Sequence, residues 1–406
     1  MAQRPRAVAA FPGAVGYLLV DAAPESEELR TLELLHAGRL PEQWPDSLTG
    51  IRLALDGEFA AAAATYGGPG IVNRVNRFIL APDAAELPAL RADVDPRLLG
   101  LVDALAFELG LLDDPPALEG STAEIAALVL AARASHALAE GDPVEAVDLL
   151  RLAAAAVTPI SPAAGGIMLG TAGAVAAGHP AAGLDPENDL RAAVNLLAST
   201  ELVGPRAELH FQLGSVLHER AAAADLPPQE AIHHYHCTLQ LIDEHSAPYL
   251  WASAHLNLGT AYLVMPMVQA SDQLRVGIAT QSLRSALGVF TREAYPQQWA
   301  SAQINLANAL VYMPSTHRAE NLVEAVGLYE QVLEHRDGSA DPIGRARLLS
   351  NVGNALAHLG VFEDAKARLY EARYLFETEN DLDGVMTVRS ILDEVARETV
   401  PATVMP

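Results

Sequence analysis

Apolar positions recur with helical spacing over most of the chain, and four stretches repeat nearly the same pattern. They are residues 208–220 (ELHFQLGSVLHER), 253–265 (SAHLNLGTAYLVM), 301–313 (SAQINLANALVYM) and 347–359 (RLLSNVGNALAHL). In each, a Leu or Val precedes a small anchor residue, at Gly214, Gly259, Ala307 and Gly353, so that the steps are 45, 48 and 46 residues. A fixed period in this range predicts a stacked repeat. Each unit reads as two helices. Leu348, Leu349, Val352, Ala355, Leu356 and Leu359 predict a first helix. Gly360 follows in a position suited to a left-handed cap. Ala365, Leu369, Ala372 and Phe376 then fall on one face of a second helix. Small residues (Gly353, Ala365, Ala372) mark where two helix backbones must approach closely.

The pairing of these positions resembles the tetratricopeptide repeat family. Leu213-Gly214 goes with Ala231 and Tyr235, and Leu258-Gly259 with Ala279, Leu283 and Ala286. Leu306-Ala307 goes with Ala325 and Tyr329, and Val352-Gly353 with Gly360, Ala365, Leu369 and Ala372. Residues 127–159 fit through Gly141, Ala146, Leu150, Ala153 and Pro159, and Leu169-Gly170 pairs with 188–199. The resemblance covers residues 127–376 and is to long-unit bacterial repeats, the middle units running past the family's usual ~34 residues. The surplus lies between the two helices, at 265–277 and 313–323, and each insertion opens with Met-Pro (Met265-Pro266, Met313-Pro314). Proline there should stop the first helix, and insertions at one place in the unit should line one edge. Trp251 and Trp299 share a site just before that helix, where packing between repeats is expected.

The expected fold is an all-α, right-handed α-solenoid of tetratricopeptide-like helix pairs. A divergent helical N-terminal region is expected over 1–120, with helices at 25–40, at 47–67 around a Gly57 turn, and at 96–112. The solenoid should fill 121–380, and a capping helix and frayed tail 381–406.

Composition narrows the function. Half the residues are hydrophobic but only 5% are aromatic, so the core must be Ala, Leu and Val. Lysine appears once, at Lys366, which fits a GC-rich bacterial source. A net charge of −25 is repelled by phosphate backbones and anionic lipid, so neither nucleic acid nor membrane is an expected partner. A protein or peptide partner with a basic patch fits better. One cysteine, Cys237, excludes an internal disulfide framework and fits the cytoplasm. The apolar N-terminal run is interrupted by Pro12 and Gly13, unlike a signal peptide.

The main candidate site is a column of amides. Gln212, Asn257, Asn305 and Asn351 stand two residues before the anchor, and Asn308 and Asn354 one residue after it. In the family these positions face an inner groove, and the resemblance implies bonds to the backbone of an extended peptide. An amide offers the donor and the acceptor that a peptide bond needs. The alternative is that the amides bond one another within the stack. Arg347, at the start of the last repeat, is expected to face the groove and hold a carboxylate, although Ser253 and Ser301 take the equivalent place in earlier units. The segment 233–237 (HHYHC) is the one metal-like cluster, with His233, His236 and Cys237 at helical spacing as candidate ligands. Ala231 and Tyr235 mark the buried face there, leaving His233, His234 and His236 partly off it.

The glycine-rich 66–72 lacks the Lys-Ser/Thr of a phosphate loop, and no activated nucleophile or cofactor loop stands out. The chain therefore reads as a non-catalytic, cofactor-free protein-interaction scaffold. The alternatives are an assembly or maturation factor for a metalloenzyme, and the regulatory module of a bacterial signalling system.

Overall fold

The computed structural model describes residues 4–121, 123–266, 273–335 and 341–399. Residues 267–272, within the first expected insertion, and 400–406 of the expected tail lie outside the described residues. The described chain is all-α apart from one short ribbon, and divides into two compact units, Met1–Leu217 and His218–Pro406.

The first unit opens with a two-stranded antiparallel ribbon, β1 (Arg6–Ala7) and β2 (Leu19–Val20), around the short α1 (Ala14–Tyr17). The apolar run of the sequence is thus a core element: Ala7, Val8, Leu18, Leu19 and Val20 are buried. Asn76 holds the ribbon from α5 (Ile71–Leu80), after α2 (Glu27–His36), α3 (Thr49–Leu55) and α4 (Phe59–Thr65). Its side-chain amide accepts from the Leu19 N–H at 2.7 Å and donates to the Leu19 carbonyl at 2.9 Å. The amide does what a further strand would do, leaving no orphan backbone group at that point. The expected helices at 25–40, 47–67 and 96–112 are present, with Gly57 at φ 81° between α3 and α4.

After α6 (Leu87–Asp93) and α7 (Pro96–Glu108), helix pairs begin. They are α8 (Glu124–Ala139) with α9 (Pro143–Val157), then α10 (Pro162–Gly178) with α11 (Glu187–Leu197). The unit boundary falls inside α12 (Val203–Ala223).

The second unit continues with α13 (Gln229–Leu241), α14 (Pro248–Leu263), α15 (Gln273–Val289), α16 (Pro296–Tyr312), α17 (Arg318–His335), α18 (Pro342–His358), α19 (Phe362–Thr378) and α20 (Leu382–Thr399). Each of α14, α16 and α18 packs on the helix after it, and each pair packs on the next. This is a helical-repeat fold of the tetratricopeptide type.

Glycine sets the closest approach within a pair. A Cβ on Gly259 would stand 2.7 Å from Leu283 Cγ, and one on Gly353 2.6 Å from Leu369 Cγ. The second helix of each pair therefore fills the space that the first leaves empty. Trp251 and Trp299 lie against the cluster of Ala252, Ala286 and Phe290, so both pack between repeats.

The helix ends follow local chemistry. Gly360 takes φ 78°, and the Val361 N–H returns to the Leu356 carbonyl at 3.0 Å, closing α18 with a left-handed cap. α16 stops at Tyr312, and Met313, ahead of Pro314, turns extended at φ −67°, ψ 121°. A residue before proline is driven out of the helical region by the ring, which is why Met-Pro ends the helix.

Candidate interaction groove

One cavity of about 700 Å³ gathers three of the sequence-predicted amides, Asn305, Asn308 and Asn351. The first two lie on α16 and the third on α18. The wall is completed by Thr260, Tyr262 and Leu263 from the end of α14, Val264 and Met265 just after it, Arg275 and Val276 from α15, and Ala309 and Tyr312 from α16. It is largely apolar, with amides set into it. Tyr312 is 67% exposed and Val264 59%, so the apolar surface is open to a ligand.

The amides are joined from repeat to repeat. Asn305 Nδ2 donates to Thr260 Oγ1 at 2.9 Å, and Asn351 Nδ2 donates to Asn308 Oδ1 at 3.4 Å. Both bonds link the position before one anchor to the position after the previous anchor. The buried Tyr329 donates to Asn308 Oδ1 at 2.5 Å, and Asn354 Nδ2 donates to the Tyr312 hydroxyl at 3.3 Å. Thus the alternative raised by the sequence, bonding within the stack, is present, and the same amides line the cavity.

The other predicted residues fall elsewhere. Asn257 lies half-buried on α14 and is bonded, though it is not part of this cavity wall. Asn354 lines a neighbouring cavity of about 620 Å³ with Arg318, His358 and Glu394. Arg347 lines a third, of about 320 Å³, together with Asn351 and Asp381; its guanidinium lies 4.0 Å from the Asp381 carboxylate and is 71% exposed. Gln212 belongs to the first unit, where its Nε2 donates to Glu208 at 3.0 Å and its Oε1 is buried without a partner.

The histidine cluster divides. Cys237 Sγ lies 3.6 Å from His233 Nε2, one helical turn away. His236 points instead to the Tyr262 hydroxyl, at 2.9 Å from its Nε2. His234, expected partly off the buried face, is buried at 7% exposure. Among the described residues no three His, Cys, Asp or Glu side chains are grouped to hold a metal. Burial raises the Cys237 thiol pKa, which disfavours the thiolate that would bind a metal. Burial, then the charge of His233, lowers His236, and burial, then His236, pushes His255 down to about 4. Burial likewise raises Tyr262, the hydroxyl in the cavity wall, with Arg275 opposing.

Sequence reasoning missed Thr260, Tyr262, Tyr312 and the role of Tyr329. Thr260 could have been found, because it sits one residue after Gly259, in the register of Asn308 and Asn354. The two wall tyrosines have no shared register and could not.

No helix among the described residues is long and apolar enough to cross a membrane. No protein-family model and no curated protein matches the chain. Among solved structures it is similar to a Rap protein complexed with competence and sporulation factor, with 12% identity and a TM-score of 0.39, covering 87% of this chain and 96% of that one. It is also similar to the apo form of RapI, with 13% identity and a TM-score of 0.47, covering 88% of this chain and 98% of that one. Likeness at this level carries nothing about ligand or partner.

Proposed function

We propose that this chain is a non-catalytic interaction scaffold that binds an extended segment of a protein in the groove of its second unit. The observation that carries the reading is the convergence of Asn305, Asn308 and Asn351 on one open, apolar-walled cavity. Amides spaced along an apolar wall suit a peptide, whose side chains bury on the wall while its backbone bonds the amides. Chemistry is a poor fit. Among the described residues the ionisable groups of the wall are Arg275, Tyr262 and Tyr312, and the raised pKa of Tyr262 keeps it protonated at neutral pH. Asn257, Asn354 and Arg347 extend the reading as flanking contacts, and the acidity of the chain favours a partner that is basic outside the bound segment.

The test is to pan random linear heptapeptides on the full chain and on an N305A/N351A variant. Enriched peptides should bind the native chain and lose affinity for the variant, whose helical circular dichroism stays unchanged. Equal binding to both contradicts the proposal.

A further inference from the structure

Resting on the peptide-groove reading, we infer that the inter-repeat bonds lock the groove amides in an acceptor–donor–acceptor order, so that the site demands two backbone N–H groups on the same edge of its ligand. An isolated asparagine can turn its amide over and offer either end. These three cannot. Thr260 has a single hydroxyl proton, and it goes to the Leu256 carbonyl at 2.9 Å. Thr260 Oγ1 can therefore only accept from Asn305, which fixes Asn305 Nδ2 toward the stack and leaves Oδ1 to the cavity.

Asn308 is fixed by distance. Its 2.5 Å contact with the Tyr329 hydroxyl lies in the O–H···O range and is too short for N–H···O. Asn308 therefore presents Oδ1 to Tyr329 and keeps Nδ2 for a ligand. Because that Oδ1 is an acceptor, Asn351 must meet it with Nδ2, which leaves Asn351 Oδ1 for a ligand. Thr260 and Tyr329 are thus positioning residues.

The complement is donor–acceptor–donor. One edge of an extended chain presents the N–H and C=O of residue i and then the N–H of residue i+2. The order therefore suits backbone in extended form, and it excludes proline at either N–H position. Side-chain identity is left to the apolar wall of Tyr262, Tyr312 and Met265.

The experiment takes one heptapeptide enriched on the full chain and methylates each backbone nitrogen in turn. Methylation at two positions separated by one residue should each weaken binding about tenfold, while methylation of the residue between them is tolerated. N308D, which swaps the central donor for an acceptor, should weaken binding at least as much, with the thermal midpoint unchanged. Y329F frees Asn308, and with it Asn351, to turn, and should relax the penalty of methylation at the nitrogen that faces Asn351, while the one that faces Asn305, still held by Thr260, keeps its penalty. If no nitrogen pair is sensitive although N305A/N351A still abolishes binding, the order is wrong and the groove reading stands. If no peptide is enriched, or binding ignores N305A/N351A, both fail.

Discussion

Asn351 donates through its side-chain amide to Asn308 Oδ1 at 3.4 Å, across 43 residues of sequence. Asn305 makes the same bond to Thr260, at 2.9 Å across 45 residues. Each rung is three residues shorter than the repeat step it crosses, because it runs from one residue after an anchor to two residues before the next. The residues that hold the repeats in register are those that face the cavity, so stability and binding are separable only by choosing substitutions that spare one of them.

Tyr329→Phe separates the polar contact at Asn308 from the packing beneath it. It keeps the buried ring and removes one hydroxyl from Asn308. The expected cost is about 1 kcal/mol, since Asn308 Oδ1 keeps its second donor. Tyr329→Ala removes the ring as well and should cost about 3–5 kcal/mol. Urea denaturation of both variants measures the difference; a near-neutral alanine variant would show that the ring is not a packing element.

Glycines in this fold divide into two kinds. At Gly353 an added Cβ would meet Leu369 Cγ at 2.6 Å and the Ala365 carbonyl at 3.2 Å, while at Gly327, inside α17, it meets nothing within 4 Å. Gly353→Val should therefore destabilise by about 1–3 kcal/mol through overpacking. Gly327→Ala should stabilise by up to about 1 kcal/mol through helix propensity. Shifts of the same sign in the two variants, read from urea midpoints, would contradict the packing described for the helix pairs.

His255 supplies a pH dependence. Its Nδ1 is buried without a partner, and its pKa is pushed down to about 4, against about 6.5 in an unfolded chain. The unfolded state then binds the proton first as pH falls. Stability is accordingly full above pH 6.5 and is lost progressively down to about 4. His236 and His218, also lowered by burial, act in the same direction. Denaturant midpoints should fall between pH 7 and pH 5, and His255→Gln should flatten that slope. An unaltered slope in the variant would show that His255 is not a source of the pH dependence.

Much of this was legible in the sequence because it is periodic. The helix pairs, the Gly360 turn and the arrest of α16 before Pro314 depend on residues close in the chain, whose effect is set by spacing and backbone sterics alone. The amide column was legible as a register and not as a set of bonds. Whether Asn305 meets water, a ligand or Thr260 depends on a helix 45 residues away. The ribbon β1–β2 was missed for the same reason. It is two residues per strand, too short for an alternating pattern, and depends on the distant Asn76. His234 was misjudged because the face of α13 that packs is wider than Ala231 and Tyr235 alone define.

Peptide binding at the amides is read most directly by following the side-chain NH₂ signals of asparagine by nuclear magnetic resonance while a library-selected heptapeptide is added to the full chain. The signals of Asn305, Asn308 and Asn351 should move together and saturate with the binding curve, while that of Asn73 in the first unit stays still. Saturation with all three signals unmoved would contradict peptide binding at the amides.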